Sequence, residues 1–359
     1  MRRLAAVLLL LALAACSPLD GLDAFDALIQ LQSGADPGRG ESKPERRETS
    51  WPGGEGDLYQ LAGAKPAAAL VLVPGLAPEG RRDPRLITLA DALARKRFAV
   101  LVPDLPNFAQ QRVSVQDSQP VAAALRHLLG ENKGPVGVAA ISYAAGPAIL
   151  AVLEPDLRQR VGFVVAIGGY SDSEAVTAFF TTGNFRAPGG AWRQATPNAY
   201  GKWVFVMANA ERIEHAADRV ALTAMARRKL ADLNADIADL EAGLGREGEA
   251  VVALLANRDP EFVPALIARL PRAVRDDLAG LTLAKRDFRG VTARFHLLHG
   301  RDDAIIPYTE SEALARSLPA SQVRLTLLES FAHAALSPSG LLDLYRMWAA
   351  LTALMAERR

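Results

Sequence analysis

The sequence predicts an α/β chain with a doubly wound, mostly parallel sheet and a helical lid insertion, and three observations carry that expectation. Apolar runs of strand length recur from Ala68 onward, mostly without polar alternation. Segments with apolar residues at helical spacing separate them, and the alternation breaks once, between about Ser173 and Gly290, where the chain reads as helical. Strands covered by helices on both faces give such uninterrupted apolar runs.

In chain order, the expected strands are Ala69–Val73, Phe98–Val102, Val136–Ile141, Val161–Ile167, Ala293–Leu298 and Val323–Leu328. The expected helices between and after them are Leu86–Arg97, Val121–Leu129, Ala144–Leu153, Ser311–Leu318 and Leu341–Met355. Within the interruption, Arg212–Leu240 and Glu249–Leu278 carry the helical periodicity, and Trp203–Met207 reads as a strand. Ligands of such sheets bind at the carboxyl ends of the strands. Residues 173–290 are therefore expected to form a lid over a core made of residues 57–172 and 291–359.

Half of the 359 residues are apolar and under a quarter are charged, the profile of a globular chain with a large core. Forty-one basic residues against 40 acidic ones leave almost no net charge, and no basic run is interleaved with aromatics. That balance argues against nucleic acid as a partner.

Residues 1–15 have the layout of a secretory signal: Arg2 and Arg3, then an apolar stretch from Leu4 to Ala15 that is short for a bilayer-crossing helix. Cys16 follows and is the single cysteine. A disulfide framework and a cysteine nucleophile are thereby excluded from the folded part, and neither a metal nor an organic cofactor is implied. Residues 16–56, rich in Gly, Pro and charge, read as a flexible tether.

Ser142 stands between the apolar strand ending at Ile141 and the helix that follows, with small residues Ala140 and Ala144 two positions to either side. A serine there sits on a sharp turn where strand and helix backbones approach closely. Downstream, His299-Gly300-Arg301-Asp302-Asp303-Ala304-Ile305-Ile306-Pro307 follows one strand, and Phe331-Ala332-His333 follows the last. The early strand Leu70–Val73 ends in Pro74-Gly75-Leu76.

Together these segments resemble the α/β-hydrolase superfamily over residues 68–172 and 291–359. The resemblance implies Ser142 as nucleophile, His333 as general base and Asp303 as the acid that orients it, in the chain order of that family. It also implies an oxyanion hole from the backbone N–H groups of Leu76 and Tyr143. Alanines flank Ser142 and Pro74 stands where the family more often has histidine. Asp302 is expected to face solvent, Asp104 to order its own loop, and Asp172 to be the alternative acid. Among the other histidines, His127, His215 and His296 are expected in packing roles and His299 as a structural hydrogen-bonder.

Carboxylic esters, small-molecule or lipid, are the substrates the resemblance implies. An amidase, a peptidase or an acyltransferase would use the same triad, and a catalytically silent envelope binding protein is the rival from another class. Leu13-Ala14-Ala15-Cys16 resembles the lipobox of bacterial lipoproteins. That implies acylation of Cys16 and a membrane anchor in the cell envelope, with Ser17 pointing to the outer membrane, facing the periplasm. Phe179, Phe180, Phe185, Trp192 and Trp203 are candidates for an acyl pocket, most of them expected as lid core.

Overall fold

The computed structural model describes residues 18–33, 43–331 and 340–359. Cys16 and His333 lie outside the described residues.

The chain begins with helix α1 (Pro18–Ser33), then strands β1 (Pro44–Trp51), β2 (Gly54–Leu61) and β3 (Ala68–Val73). Helix α2 (Pro84–Arg95), β4 (Phe98–Pro103), α3 (Ser118–Glu131), β5 (Val136–Ile141), α4 (Ala145–Val152) and β6 (Phe163–Ile167) follow. After the insertion come β7 (Arg294–Gly300), α11 (Thr309–Ser317), β8 (Val323–Leu328) and α12 (Leu341–Ala356). The insertion holds α5 (Ser173–Thr182), α6 (Tyr200–Asn209), α7 (Ala216–Ala231), α8 (Arg246–Ala256), α9 (Val263–Arg269) and α10 (Arg272–Leu281).

These eight strands form one sheet in the order β1-β2-β4-β3-β5-β6-β7-β8, and two short strands of the insertion, Asn184–Phe185 and Arg193–Gln194, pair separately. β1 and β2 pair antiparallel with each other, as do β2 and β4, and every later pairing is parallel. Alternate residues of the central strands feed two cores. Val71, Val73, Val138 and Ala140 pack with Leu125 of α3, Ile149 of α4 and Leu314 of α11 on one face. Leu70, Leu72, Val100 and Val102 pack with Leu89 and Leu93 of α2 and Met347 of α12 on the other. Every side chain of β3 and β4 is buried, which is why these strands read as continuous apolar runs.

Several elements differ from the sequence reading, and β2, for one, is not among the expected strands. Residues 16–56 read as a tether, yet residues 18–33 form a docked helix and residues 44–51 an edge strand. Ala24, Ala27 and Leu28 of α1 are buried, and the Trp348 indole N–H donates to the Gly21 carbonyl at 2.8 Å. The acids that made this segment look solvated are paired: Asp20 with Arg358 and Arg359, Asp23 with Arg358, and Asp26 with Lys96. β1 is largely exposed and lacks an apolar run, because it borders the sheet. Finally, Trp203–Met207 lies inside helix α6, buried throughout, and a fully buried helix has the same unbroken apolar signature as a strand.

The insertion is fastened to the core. The Asp277 carboxylate of α10 accepts from the Ser114 hydroxyl (2.8 Å) and the Val115 N–H (3.1 Å), and pairs with Arg212 at 3.2 Å.

Candidate active site

In-register pairing sets the site. Val73 lies opposite Ala140, Ile141 opposite Ile167, Ile167 opposite Leu298, and Leu298 opposite Thr326. The loops after β3, β5, β6, β7 and β8 therefore leave the sheet at one edge, and they carry Leu76, Ser142, residues 168–172, Asp303 and the approach to His333.

Ser142 follows the last residue of β5 with φ = +60°, in the left-handed region that a residue with a Cβ rarely adopts. Such strain costs on the order of 1–3 kcal/mol and persists only where surrounding packing enforces it. Here the enforcement is visible. Ala140 and Ala144 are buried, and a Cβ on Gly146 would stand 2.0 Å from the Tyr170 hydroxyl oxygen, so only glycine lets α4 approach the loop after β6. The turn brings Ser142 to the start of a short helical segment, Ser142–Ala144.

Gly75 packs against the other side of this turn, its Cβ position 3.9 Å from the Ile141 carbonyl oxygen. Leu76 is thus held beside the serine turn, and its side chain packs on the first core.

Asp303 is buried in the loop after β7. Its Oδ1 accepts the N–H groups of Ile305 (2.8 Å) and Ile306 (3.0 Å), which fixes the carboxylate plane. Its Oδ2 lies 3.3 Å from His299 Nε2 and 3.5 Å from the Cβ position of Gly168, at the end of β6. The Asp303 charge reaches Tyr143 as well: burial first, then this carboxylate, holds the Tyr143 phenol far above its usual range.

His333 falls outside the described residues, and what the structure supplies is the chain leading to it. Asp343, in the first turn of α12, accepts the N–H of Glu329 (3.0 Å) and of Ser330 (2.9 Å). Asp302 accepts the N–H of Phe331 at 2.8 Å. Asp302 is exposed, as expected, but it also ties the acid loop to the segment two residues before His333. Sequence reasoning missed both acids, since each acts on a backbone group far along the chain.

The remaining histidines have structural partners. His299 is fully buried, with Nδ1 2.7 Å from the Ser311 hydroxyl and Nε2 2.9 Å from the Ile306 carbonyl. Both neighbours of Nε2 are acceptors, so that nitrogen carries the hydrogen. His127 stacks on Trp51, His215 meets Asp218, and His296 Nε2 lies 2.8 Å from Glu357. Asp172 caps α5 by accepting the Glu174 N–H at 2.9 Å. The Asp104 N–H donates to the Glu55 carbonyl, tying its loop to β2.

A mainly apolar cavity opens beside Tyr143, lined by Tyr170, Val176, Phe180, Val204 and Phe205. Of the five insertion aromatics expected as lid core, Phe180 reaches this cavity. Phe179 and Trp203 are buried elsewhere, Phe185 packs on Phe179 and Tyr308, and Trp192 donates to Glu261.

Glu310 supplies a titration the sequence did not suggest. Its buried carboxylate accepts the N–H groups of Ser171 (3.1 Å) and Asp172 (2.7 Å), and burial pushes its pKa from 4.5 up to about 7. Between those two values the folded chain holds a proton that the unfolded chain has lost. Stability should therefore fall as pH rises from about 4.5 to about 7, by about 3 kcal/mol in all, and level off above. Glu310→Gln keeps an acceptor for both N–H groups and cannot ionise. Urea unfolding at pH 5 and pH 8 should show the decline in the parent and its absence in the variant; an equal decline in both would remove Glu310 as its source.

No protein-family model matches the chain, and no curated protein matches it. Among solved structures, it is similar to a point mutant of the rice cell wall degrading esterase LipA from Xanthomonas oryzae. The TM-score is 0.52 at 14% identity, covering 93% of this chain and 96% of that chain. This chain has the α/β-hydrolase fold. It is similar too, at a TM-score of 0.47 and 14% identity, to the Pyrococcus horikoshii acylaminoacyl peptidase. That match covers 89% of this chain, which spans 41% of the peptidase. Within the α/β-hydrolase fold, β5 and α4 bracket the serine turn, and the insertion stands between β6 and β7.

Proposed function

We propose that the protein is a serine hydrolase that cleaves carboxylic esters through an acyl-enzyme formed on Ser142. The observation that carries this reading is the left-handed backbone of Ser142 at the carboxyl end of a central strand. A merely capping serine has no need of that conformation.

In this mechanism His333 takes the Ser142 proton as the hydroxyl oxygen attacks the ester carbonyl. Asp303, its plane fixed by the Ile305 and Ile306 N–H groups, orients the imidazole and stabilises its charge. The Leu76 and Tyr143 N–H groups receive the developing oxyanion. The alcohol leaves with a proton from His333, and water, activated by the same histidine, releases the acid. The cavity beside Tyr143 supports an apolar acyl group on the substrate.

Covalent capture tests the assignment directly. A fluorophosphonate should mark the folded chain on Ser142, and an unmarked chain or a mark on another residue would overturn it. The lipobox-like run supports acylation of Cys16 and attachment to the periplasmic side of the outer membrane. Cys16→Ser should then move the protein from the membrane to the soluble envelope fraction; an unchanged distribution would count against acylation.

A further inference from the structure

Two helices that pack on each other both leave apolar side chains exposed. Leu19 (72% exposed) and Leu22 (44%) lie one turn apart on α1, and Leu341 (69%), Leu342 (56%) and Tyr345 (42%) occupy the first turn and a half of α12. Trp348 stands between the two groups: its indole holds the Gly21 carbonyl, and the Tyr345 ring lies 5.8 Å from that indole. The acids of α1 are paired with Arg358, Arg359 and Lys96, so they add little net negative charge beside Leu19 and Leu22. Burying large apolar side chains is favourable, so this patch has affinity to offer.

What would cover it follows from the chain just before. The uncharged apolar stretch Leu4–Ala15 seeks a membrane and ends four residues before Leu19, at most about 14 Å along an extended chain. Whether the membrane is held by that stretch or by lipid on Cys16, it stays within that reach of α1. A tether would allow the folded part to drift. Docking of α1 against α12 and the core removes that slack.

We infer that Leu19, Leu22, Leu341, Leu342 and Tyr345 form a membrane-docking face that rests on the lipid surface and sets the orientation of the enzyme. Among the described residues no helix is long and apolar enough to cross a membrane, so the contact is superficial. Leucine tips and a tyrosine suit that depth, apolar bodies inward and polar tip at the headgroups. The face also has a direction. The start of α12 lies at the carboxyl end of β8, where Asp343 holds Glu329 and Ser330, whereas the start of α1 lies by Arg358, which pairs with Asp20 and donates to the Lys96 carbonyl just before β4, at the opposite edge of the sheet. Docking over both groups therefore lays this flank of the sheet along the bilayer.

Membrane attachment belongs to the proposal above, and the test separates the two. The full-length chain, bound to vesicles of phosphatidylethanolamine and phosphatidylglycerol, would carry photoreactive benzoylphenylalanine in place of Leu22, Leu342 or, as a control, Val220 on the insertion. Lipid adducts at the first two positions should exceed those at the third at least about tenfold. Adducts to a second copy, adducts to residues 4–15 of the same chain, or equal lipid labelling at all three positions would overturn the docking face while leaving attachment intact. Failure of the chain to bind vesicles would overturn both. The hydrolase reading is untouched by either result.

Discussion

Ser142→Ala should lower ester hydrolysis by on the order of 10⁶-fold in kcat with little change in KM or in unfolding midpoint. On the proposed mechanism the kinetic half follows from losing the atom that forms the acyl bond, while the proposed oxyanion donors of Leu76 and Tyr143 and the apolar cavity stay in place. Those leftovers give a residual rate above that of water. The stability half follows from φ = +60°. Serine and alanine both carry a Cβ, so the strain of the turn is the same in each. Ser142→Gly separates strain from chemistry: it should be as inactive as the alanine variant and at least as stable as the parent. Initial rates on a short p-nitrophenyl ester, with thermal unfolding of the three proteins, check both halves. An alanine variant retaining more than about one hundredth of the parental rate would exclude Ser142 as nucleophile, because no triad serine is that dispensable.

Most of this arrangement was legible where a residue's role depends on its near neighbours in sequence. The parallel strands announced themselves because both faces are covered, as in β3 and β4, where no side chain is exposed. The strand-to-helix turn at Ser142 and the loop that holds Asp303 were legible as structure because each is a local motif. What could not be read depends on partners far along the chain. α1 looked like a tether because Asp20, Asp23 and Asp26 punctuate it, and their cations, Lys96, Arg358 and Arg359, lie some 70 to 340 residues away. Asp302 looked like a solvated loop residue because its acceptor function is spent on Phe331, 29 residues on. Trp203–Met207 failed for another reason. Period cannot distinguish a strand from a helix whose whole circumference is buried.

Asp303→Asn is expected to leave a folded protein whose kcat is reduced by roughly 10⁴-fold. The asparagine carbonyl can still accept the Ile305 and Ile306 N–H groups, so the loop keeps its shape. Its amide nitrogen then stands where Oδ2 was, and there it fails twice. It brings a donor against His299 Nε2–H, 3.3 Å away, at a cost of about 1–3 kcal/mol in stability. It also offers His333 a donor instead of a carboxylate, which favours the wrong tautomer and cannot stabilise an imidazolium. Asp172→Asn is the matched control. Asparagine caps a helix as well as aspartate does, so α5 keeps its first turn and the rate should stay within about threefold of the parent. Measured side by side with the same ester, the two variants decide which carboxylate serves the histidine. A larger loss at Asp172 than at Asp303 would transfer the acid to the loop after β6. It would also leave the two N–H bonds that hold Asp303 with no role beyond shaping their turn.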